Sequence, residues 1–308
     1  MRKCNLKIFS LRKKRAQELH AEAQKLSGEG RDSDALELYL EAIALDPEKS
    51  ESYYNIGLIY KYRGEWALSL KYNKLANELC PEDEAARWNL AIAATALRTW
   101  DIARAAWKQS GIRLDGESGP IEMNFGITPV RLNPDDAGEV VWATRIDPVR
   151  ARIDSIPFME SGFRHGDIVL HDGAAVGQRK IDDREYPVFN VLQIFEQSGY
   201  QTVRAEVELT KDEDVQVLEE LLSKGSHVLE DWTANVRILC KQCSEGVPHE
   251  HHDGEPPASW TSERNFGIAI YGGGSISSLL DAWQAQTGAR LISLKALTTA
   301  DGRGNESA

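Results

Sequence analysis

The chain has 308 residues, is 42% hydrophobic and carries a formal net charge of −12. This length allows two or three domains with cores of their own, and no run approaches the roughly 18 consecutive apolar residues of a membrane helix. The acidity argues against general binding to nucleic acid, which needs clustered Lys and Arg. Four cysteines, two of them in one Cys-x-x-Cys pair, are typical of a reducing compartment. We therefore expect a cytoplasmic protein.

The chain begins with a basic arm, residues 1–15, which has seven Lys or Arg residues and no acid. Because the arm contributes +7 to the total of −12, residues 16–308 carry a net charge of −19. We expect the arm to be frayed and solvated. The acidic remainder favours a basic protein as partner over nucleic acid.

A 34-residue period runs through residues 16–113 and is carried mainly by small residues. Two antiparallel helices approach closely only where side chains are small, and Pro ends a helix. Gly30 and Gly64 mark the turns, and segments such as Asp34 to Leu45 have helical spacing of apolar residues. The columns are Ala23, Gly57 and Ala91; Ala35, Ser69 and Ala103; Ala42, Ala76 and Ser110; and Pro47 and Pro81. The sequence predicts three helical hairpins.

This pattern resembles the tetratricopeptide repeat (TPR), in a domain spanning residues 16–115. The departures are Asn73, where an aromatic residue is usual, and Arg87 and Arg98 in the third copy. The resemblance implies that the first helix of each hairpin lines a concave groove that binds a peptide or protein. The groove positions it implies are His20, Gln24, Ser27, Glu51, Tyr54, Asn55, Leu58, Lys61, Ala85, Trp88, Asn89, Ile92 and Thr95.

Two asparagines give this predicted groove its chemistry. Asn55 and Asn89 lie one repeat apart, and an amide both donates to and accepts from a peptide backbone. Tyr54 and Trp88 would supply apolar anchors. The family's clamp for a C-terminal carboxylate relies on several Lys, Arg and Asn residues, of which only Asn55 is matched, and this argues against binding of a chaperone tail.

The end of the array lacks the usual extra helix. The third repeat runs into the breaker cluster of residues 116–120, and an uncapped terminal hairpin would leave an apolar face in water. We expect the downstream domain to act as the cap.

The rest of the chain is predicted to be α+β. Residues 121–199 contain short β-branched or alternating runs punctuated by Gly and Asp, which indicate a small antiparallel sheet or barrel of undetermined topology. Residues 200–299 show the order strand–helix–strand twice, which predicts a ferredoxin-like βαββαβ sandwich interrupted at residues 240–263. We expect residues 300–308 to be a disordered tail.

The interruption holds a candidate metal site. Cys240 and Cys243 form a Cys-x-x-Cys pair, and His249, His251 and His252 follow within a few positions. Two Cys and two His suit tetrahedral Zn²⁺ and resemble a zinc knuckle in part, with either His251 or His252 as the fourth ligand. Such a set leaves no open position for water, which favours a structural zinc. The segment also approaches a metalloprotease motif, but nearby prolines oppose the necessary helix.

These features favour a protein-interaction function, as an adaptor or scaffold, over an enzyme. The repeats would bind a peptide or protein, and a zinc-stapled domain would add a second surface. Two alternatives remain open from the sequence: a zinc-dependent hydrolase whose substrate is recruited by the repeats, and an inhibitor or immunity-type protein that neutralises a basic protein.

Overall fold

The computed structural model describes residues 2–135, 138–181, 184–233, 260–272 and 274–296. The chain forms two compact units, one of residues 1–123 with 147–149 and one of residues 124–146 with 150–308. The helices in the described ranges include none that is long and apolar enough to cross a membrane.

The first unit contains three antiparallel helical hairpins, as the 34-residue period predicts. Asp46 and Cys80, which end the second helices of the first two hairpins, each precede a proline. A residue before proline is disfavoured in the helical region, so these helices end there. The helices are α1 (Arg2–Gly28), α2 (Asp32–Leu45), α3 (Ser50–Tyr62), α4 (Trp66–Leu79), α5 (Glu84–Ala96) and α6 (Trp100–Gln109).

The basic arm belongs to α1, which is helical from Arg2 onward and therefore differs from the frayed terminus that the sequence favoured. Lys13 explains part of this order, because its Nζ lies 3.0 Å from the Glu48 carboxylate and 3.9 Å from that of Asp46. Both acids lie between α2 and α3. The bond to Glu48 raises the pKa of Lys13, so the amine is charged at neutral pH. The arm is thus joined to the first hairpin.

The small-residue columns lie where the helices cross. Gly57 on α3 faces Asn73 on α4 so closely that a Cβ added at residue 57 would lie 2.5 Å from Asn73 Nδ2. Asn73 is itself fixed, because its Nδ2 donates to the Ser69 carbonyl at 2.9 Å, and Ser69 Oγ donates to the Gly57 carbonyl at 2.9 Å. An asparagine therefore replaces the usual aromatic residue by filling the space above a glycine with a hydrogen-bonded amide.

The third hairpin departs from the other two at its turn and at its base. Arg98 stands where Gly30 and Gly64 stand in the earlier repeats, and it adopts the same left-handed conformation, with φ of 56°. This conformation costs a non-glycine residue roughly 1 kcal/mol. Arg87 donates to the Pro81 carbonyl at 2.7 Å and to Ser110 Oγ at 3.2 Å, which ties the start of α5 to the end of α6.

A buried arginine fixes the segment that leaves the array. Arg104 on α6 is 4% exposed and lies next to Ala103 of the small-residue column. Its guanidinium donates to the carbonyls of Gly119 at 2.7 Å, Gly116 at 2.9 Å, and Asp115 and Pro120 at 3.0 Å each. The breaker cluster is therefore an ordered turn bound to α6.

The second unit begins with a five-stranded closed barrel. Each strand pairs antiparallel with the next, and β1 closes the barrel by pairing in parallel with β5, with Val130 opposite Phe189. Apolar residues from all five strands fill the interior, including Leu132, Ile153 and Val169. The strands are β1 (Ile127–Leu132), β2 (Glu139–Arg145), β3 (Arg150–Ile153), β4 (Ile168–Ile181) and β5 (Arg184–Glu196).

One histidine is fully buried among the barrel strands. His171 on β4 stacks on Phe189 of β5, with ring centroids 4.9 Å apart. Its Nδ1 donates to the Asp172 carbonyl at 2.7 Å, whereas its Nε2 is buried and has no hydrogen-bond partner among the described residues. Burial, with a smaller contribution from the nearby Arg145 charge, lowers the pKa of His171 to about 4, while Asp172 opposes the shift. The imidazole is neutral at physiological pH.

A second sheet follows the barrel, with strand order β7-β8-β6-β9 and antiparallel pairing throughout. Within the described parts of residues 200–296, the elements follow one another as β-α-β-β-α-β. The two helices of this region, residues 213–223 and 277–287, pack on the face of the sheet that carries Val203, Val207 and Phe266. They also contact each other, because Trp283 Nε1 donates to the Asp214 carbonyl at 2.8 Å. The elements are β6 (Tyr200–Glu208), α7 (Glu213–Ser223), β7 (Val228–Asp231), β8 (Glu263–Tyr271), α8 (Ser277–Thr287) and β9 (Arg290–Ala296).

The other face of this sheet contacts the segment after β3. Trp232 lies directly over Gly267, where an added Cβ would be 2.3 Å from the indole, and Trp232 Nε1 donates to the Ile156 carbonyl at 3.1 Å. The Glu230 carboxylate accepts from the Ile156 amide at 2.6 Å. The barrel and the sheet are therefore packed through Trp232.

Candidate functional site

The thirteen predicted groove positions lie on the first helices α1, α3 and α5, and they differ widely in exposure. Gln24, Glu51 and Ala85 are exposed, and an intermediate group consists of Ser27, Tyr54, Asn55, Leu58 and Trp88. Five positions are buried, namely His20, Lys61, Asn89, Ile92 and Thr95. The surface that these positions can offer to a partner therefore lies on α3, at the end of α1 and at the start of α5.

The two asparagines that the sequence places in register have different roles. Asn89 is 6% exposed, and its Oδ1 accepts from Lys61 Nζ at 3.2 Å. Asn55 is only half-buried, and among the described residues no hydrogen bond engages its side chain. Asn89 thus links the first helices of two neighbouring hairpins, whereas Asn55 retains an amide that can bind a peptide group.

The aromatic position of the third repeat also differs from its counterpart in the second. The Trp88 ring packs edge-to-face on Trp107 of α6, with ring centroids 4.8 Å apart. Its Nε1 is buried without a hydrogen-bond partner in the described part of the chain. Trp88 therefore belongs in part to the packing of the third hairpin, and it presents only the remainder of its ring to a partner.

The thirteen predicted positions carry little charge. Burial, followed by the charge of Lys49, lowers the pKa of His20, whose Nδ1 lies 2.9 Å from Ser52 Oγ, so His20 is neutral at pH 7. A backbone hydrogen bond lowers the pKa of Glu51, aided by Lys49, and Glu51 is a carboxylate. The one cation among the thirteen positions, Lys61, is 3% exposed. This set is unsuited to clamping a free carboxylate.

The predicted metal ligands Cys240, Cys243, His249, His251 and His252 lie outside the described residues. The ends of the segment that carries them are described and are held together: the Trp232 amide donates to the Asn265 carbonyl at 2.8 Å, and the Asn265 amide donates to Thr233 Oγ1 at 2.6 Å. Across the described residues, no group of three or more His, Cys, Asp or Glu side chains is placed to hold a metal ion.

Three hairpins with a 34-residue period, small residues at the helix crossings and prolines after the first two second helices define the N-terminal unit as a TPR array. Residues 29–64 match the family model described as TPR repeat. No curated protein matches this chain.

Solved structures similar to this chain include two TPR domains. One is the second TPR of Spaghetti (RPAP3) bound to the HSP90 peptide SRMEEVD, with 18% identity, a TM-score of 0.34, and coverage of 35% of this chain and 93% of that chain. The other is the first TPR of the same protein bound to the same peptide, with 20% identity, a TM-score of 0.30, and coverage of 32% of this chain and 77% of that chain.

Proposed function

We propose that the TPR array binds an extended segment of a partner polypeptide along its first helices, centred on α3. The observation that carries this proposal is the Asn55 amide, which is half-buried, unpaired among the described residues, and set between Tyr54 and Leu58. An amide at such a site can accept from one backbone N–H and donate to a carbonyl of the same segment. Main-chain recognition of this kind needs no particular charge on the partner.

The partner's affinity would come from apolar contact around that amide. Tyr54, Leu58 and Trp88 are half-buried at other predicted positions of α3 and α5, and partly buried aromatic residues are the usual source of binding energy at protein interfaces. The net charge of −12 would speed encounter with a basic partner without fixing its identity. We therefore regard the chain as an interaction protein of the adaptor or scaffold type.

Partner capture from cell extract, followed by mass spectrometry, tests this function. Asn55→Ala should reduce capture of the enriched polypeptide by about 5- to 30-fold, since an interface hydrogen bond with its desolvated partner contributes roughly 1–2 kcal/mol. Glu37→Ala, an exposed change on α2, is the control and should bind like the wild type. Equal capture by Asn55→Ala and the wild type would contradict the proposal.

We also propose that the second unit ends in a ferredoxin-like sheet stabilised by a structural zinc. The strand order β7-β8-β6-β9 and the two helices on one face support the first part. The second part rests on the donor set of Cys240, Cys243, His249 and His252 (or His251), in a segment whose ends are hydrogen-bonded together. Thiolate ligands in this number suit a reducing, cytoplasmic compartment.

Metal analysis of gently purified protein tests the zinc. We expect about one equivalent of Zn²⁺ per chain. Cys243→Ser should lower both the zinc content and the thermal stability of the second unit, because metal binding and folding of such a segment are coupled. Cys80→Ser is the matched control, since Cys80 is a free cysteine on α4's C-terminal cap. Less than about half an equivalent in the wild type would rule the zinc out.

A further inference from the structure

The second helices of the first two hairpins are joined by a packed apolar layer. Tyr72 on α4 and Leu40 and Ile43 on α2 all pack against one buried cluster, which includes Ile56 of α3. The Tyr72 ring stacks on Tyr60 of α3, with ring centroids 5.7 Å apart. The second helices α2 and α4 thus both contribute large apolar side chains to this cluster.

The corresponding space between α4 and α6 lacks those side chains. One period further along, Leu40 becomes Lys74, Ile43 becomes Asn77 and Tyr72 becomes Ala106. The result is an open groove of about 330 Å³, which we term the α4–α6 groove. It is lined by Lys74, Asn77, Glu78, Leu90, Asp101, Ile102, Ala105, Ala106 and Gln109.

The floor of this groove is apolar and its rim is polar. Leu90 and Ala106 are buried at its base, and Ile102 is half-buried beside them. Groove volumes of this size accept a large aliphatic or aromatic side chain rather than a water molecule alone. The α4–α6 groove therefore has room for the kind of side chain that Tyr72 provides in the repeat before.

The polar groups of the groove favour a hydrogen-bond donor with positive charge. Asn77 Oδ1 is buried and accepts no hydrogen bond among the described residues. Glu78 and Asp101 contribute two exposed carboxylates, and Lys74, whose Nζ lies 3.9 Å from Glu78, contributes one amine. Carboxylates therefore outnumber amines at the rim, and the buried amide oxygen needs a donor.

We propose that the α4–α6 groove binds a partner polypeptide through a large apolar or aromatic side chain that is followed by an Arg or Lys. The apolar side chain would lie over Leu90 and Ile102, and the cation would lie at Glu78 and Asp101 while a donor of the segment reaches Asn77 Oδ1. This surface is built from the second helices α4 and α6, with Leu90 of α5 at its floor, and it includes none of the thirteen first-helix positions of the proposed function.

The test uses the full chain with methyl groups labelled at Leu90 and Ile102, titrated with N-acetyl-Trp-Arg-amide. We expect saturable shifts of these methyl signals, with a dissociation constant on the order of 1 mM. N-acetyl-Trp-Glu-amide should bind roughly 2- to 5-fold more weakly, because exposed charge pairs are weak, and N-acetyl-Ser-Arg-amide should bind at least about tenfold more weakly for lack of the apolar side chain.

Each of two substitutions introduces the residue that stands one repeat earlier, Tyr72 for position 106 and Ile43 for position 77. Ala106→Tyr should fill the groove and weaken binding of the Trp-Arg probe at least about tenfold, and Asn77→Ile should do the same while removing the acceptor. Wild-type methyl signals of Ile59, which is buried on α3 of the same helical unit, will show that each variant is folded. Asn55→Ala should leave probe binding unchanged, which separates this proposal from the proposed function.

The proposal would be overturned by no saturable shift at Leu90 and Ile102, by equal binding by folded Ala106→Tyr, or by a preference for the Trp-Glu probe. Self-association that shifts the same methyl signals with protein concentration alone would also overturn it, by identifying a second copy of the chain as the occupant.

Discussion

Replacing Arg104 by Met should lower the local stability of α6 and the following segment by about 3 kcal/mol. The guanidinium is buried and donates to four backbone carbonyls of residues 115–120. Each hydrogen bond from a charged donor contributes roughly 1.5–3 kcal/mol. The net loss is smaller than the sum of the four, because water can bond some of the carbonyls in the variant. Met keeps most of the length and apolar stem while removing all the donors. Hydrogen exchange of amides in residues 100–123 measures the loss.

Lys108→Met is the matched control for this prediction. Lys108 lies on the same helix and reaches the same segment, with its Nζ 3.0 Å from the Glu117 carboxylate, but both side chains are exposed. An exposed pair contributes at most about 1 kcal/mol, so its removal should leave exchange nearly unchanged. Similar exchange in the two variants would show that Arg104 does not hold the segment. Arg104→Lys should resemble the Met variant, because a single ammonium cannot bond four carbonyls in a fixed plane.

Acidification from pH 6.5 to pH 4 should destabilise the barrel by about 3 kcal/mol through His171. The pKa of His171 is lowered to about 4 by burial, against an ordinary value near 6.5. The unfolded state therefore binds this proton first as the pH falls, and stability is lost between the two values. Hydrogen exchange of the β4 and β5 amides, corrected for the intrinsic pH dependence of exchange, measures the change.

His171→Gln should remove most of this loss of stability between pH 6.5 and pH 4, because a neutral amide does not titrate. The variant can be less stable than the wild type at neutral pH without affecting this test. His20→Gln is the control: burial also lowers the pKa of His20, but His20 lies in the helical unit, so the β4 and β5 amides should keep the wild-type pH dependence. If the stability of the barrel in His171→Gln still falls with pH as it does in the wild type, other groups cause the acid sensitivity.

The helical unit could be predicted from the sequence because its signals are local and repeated. Ala23, Gly57 and Ala91 are buried at the same point of successive hairpins. The role of Arg104 carried no such signal, since its four acceptors are backbone carbonyls whose positions depend on the fold of residues 115–120. The expectation that the downstream domain caps the array stays a prediction.

The second unit was harder to predict because its defining contacts are distant in sequence. The barrel closes where Val130 meets Phe189, and parallel pairing of this kind leaves no turn signal between the strands. The alternation of helices and strands in the described parts of residues 200–296 was readable from apolar periodicity, whereas the pairing of β4 with β5 was not. The proposed zinc ligands stay a prediction, because they lie outside the described residues.

At the candidate groove, the sequence predicts which positions belong to the site but not how exposed each one is. The repeat register identifies its thirteen positions, but it does not reveal which of them face solvent. Asn89 and Asn55 are equivalent in register, and the difference between them arises because Lys61 is long enough to reach Asn89 Oδ1 from the neighbouring helix. This contrast assigns Asn55, and not the pair, to the centre of the proposed site.

Site-specific photo-crosslinking in cells is the most direct test of a first-helix binding site for a partner polypeptide. A photo-crosslinking amino acid placed at position 54 on α3 should form a discrete adduct with another polypeptide, and the adduct should weaken when Asn55→Ala is added. The same group at position 37 on α2, which is exposed on a second helix, should not form that adduct. The absence of an adduct at position 54, or the same adduct at both positions, would contradict the proposed site.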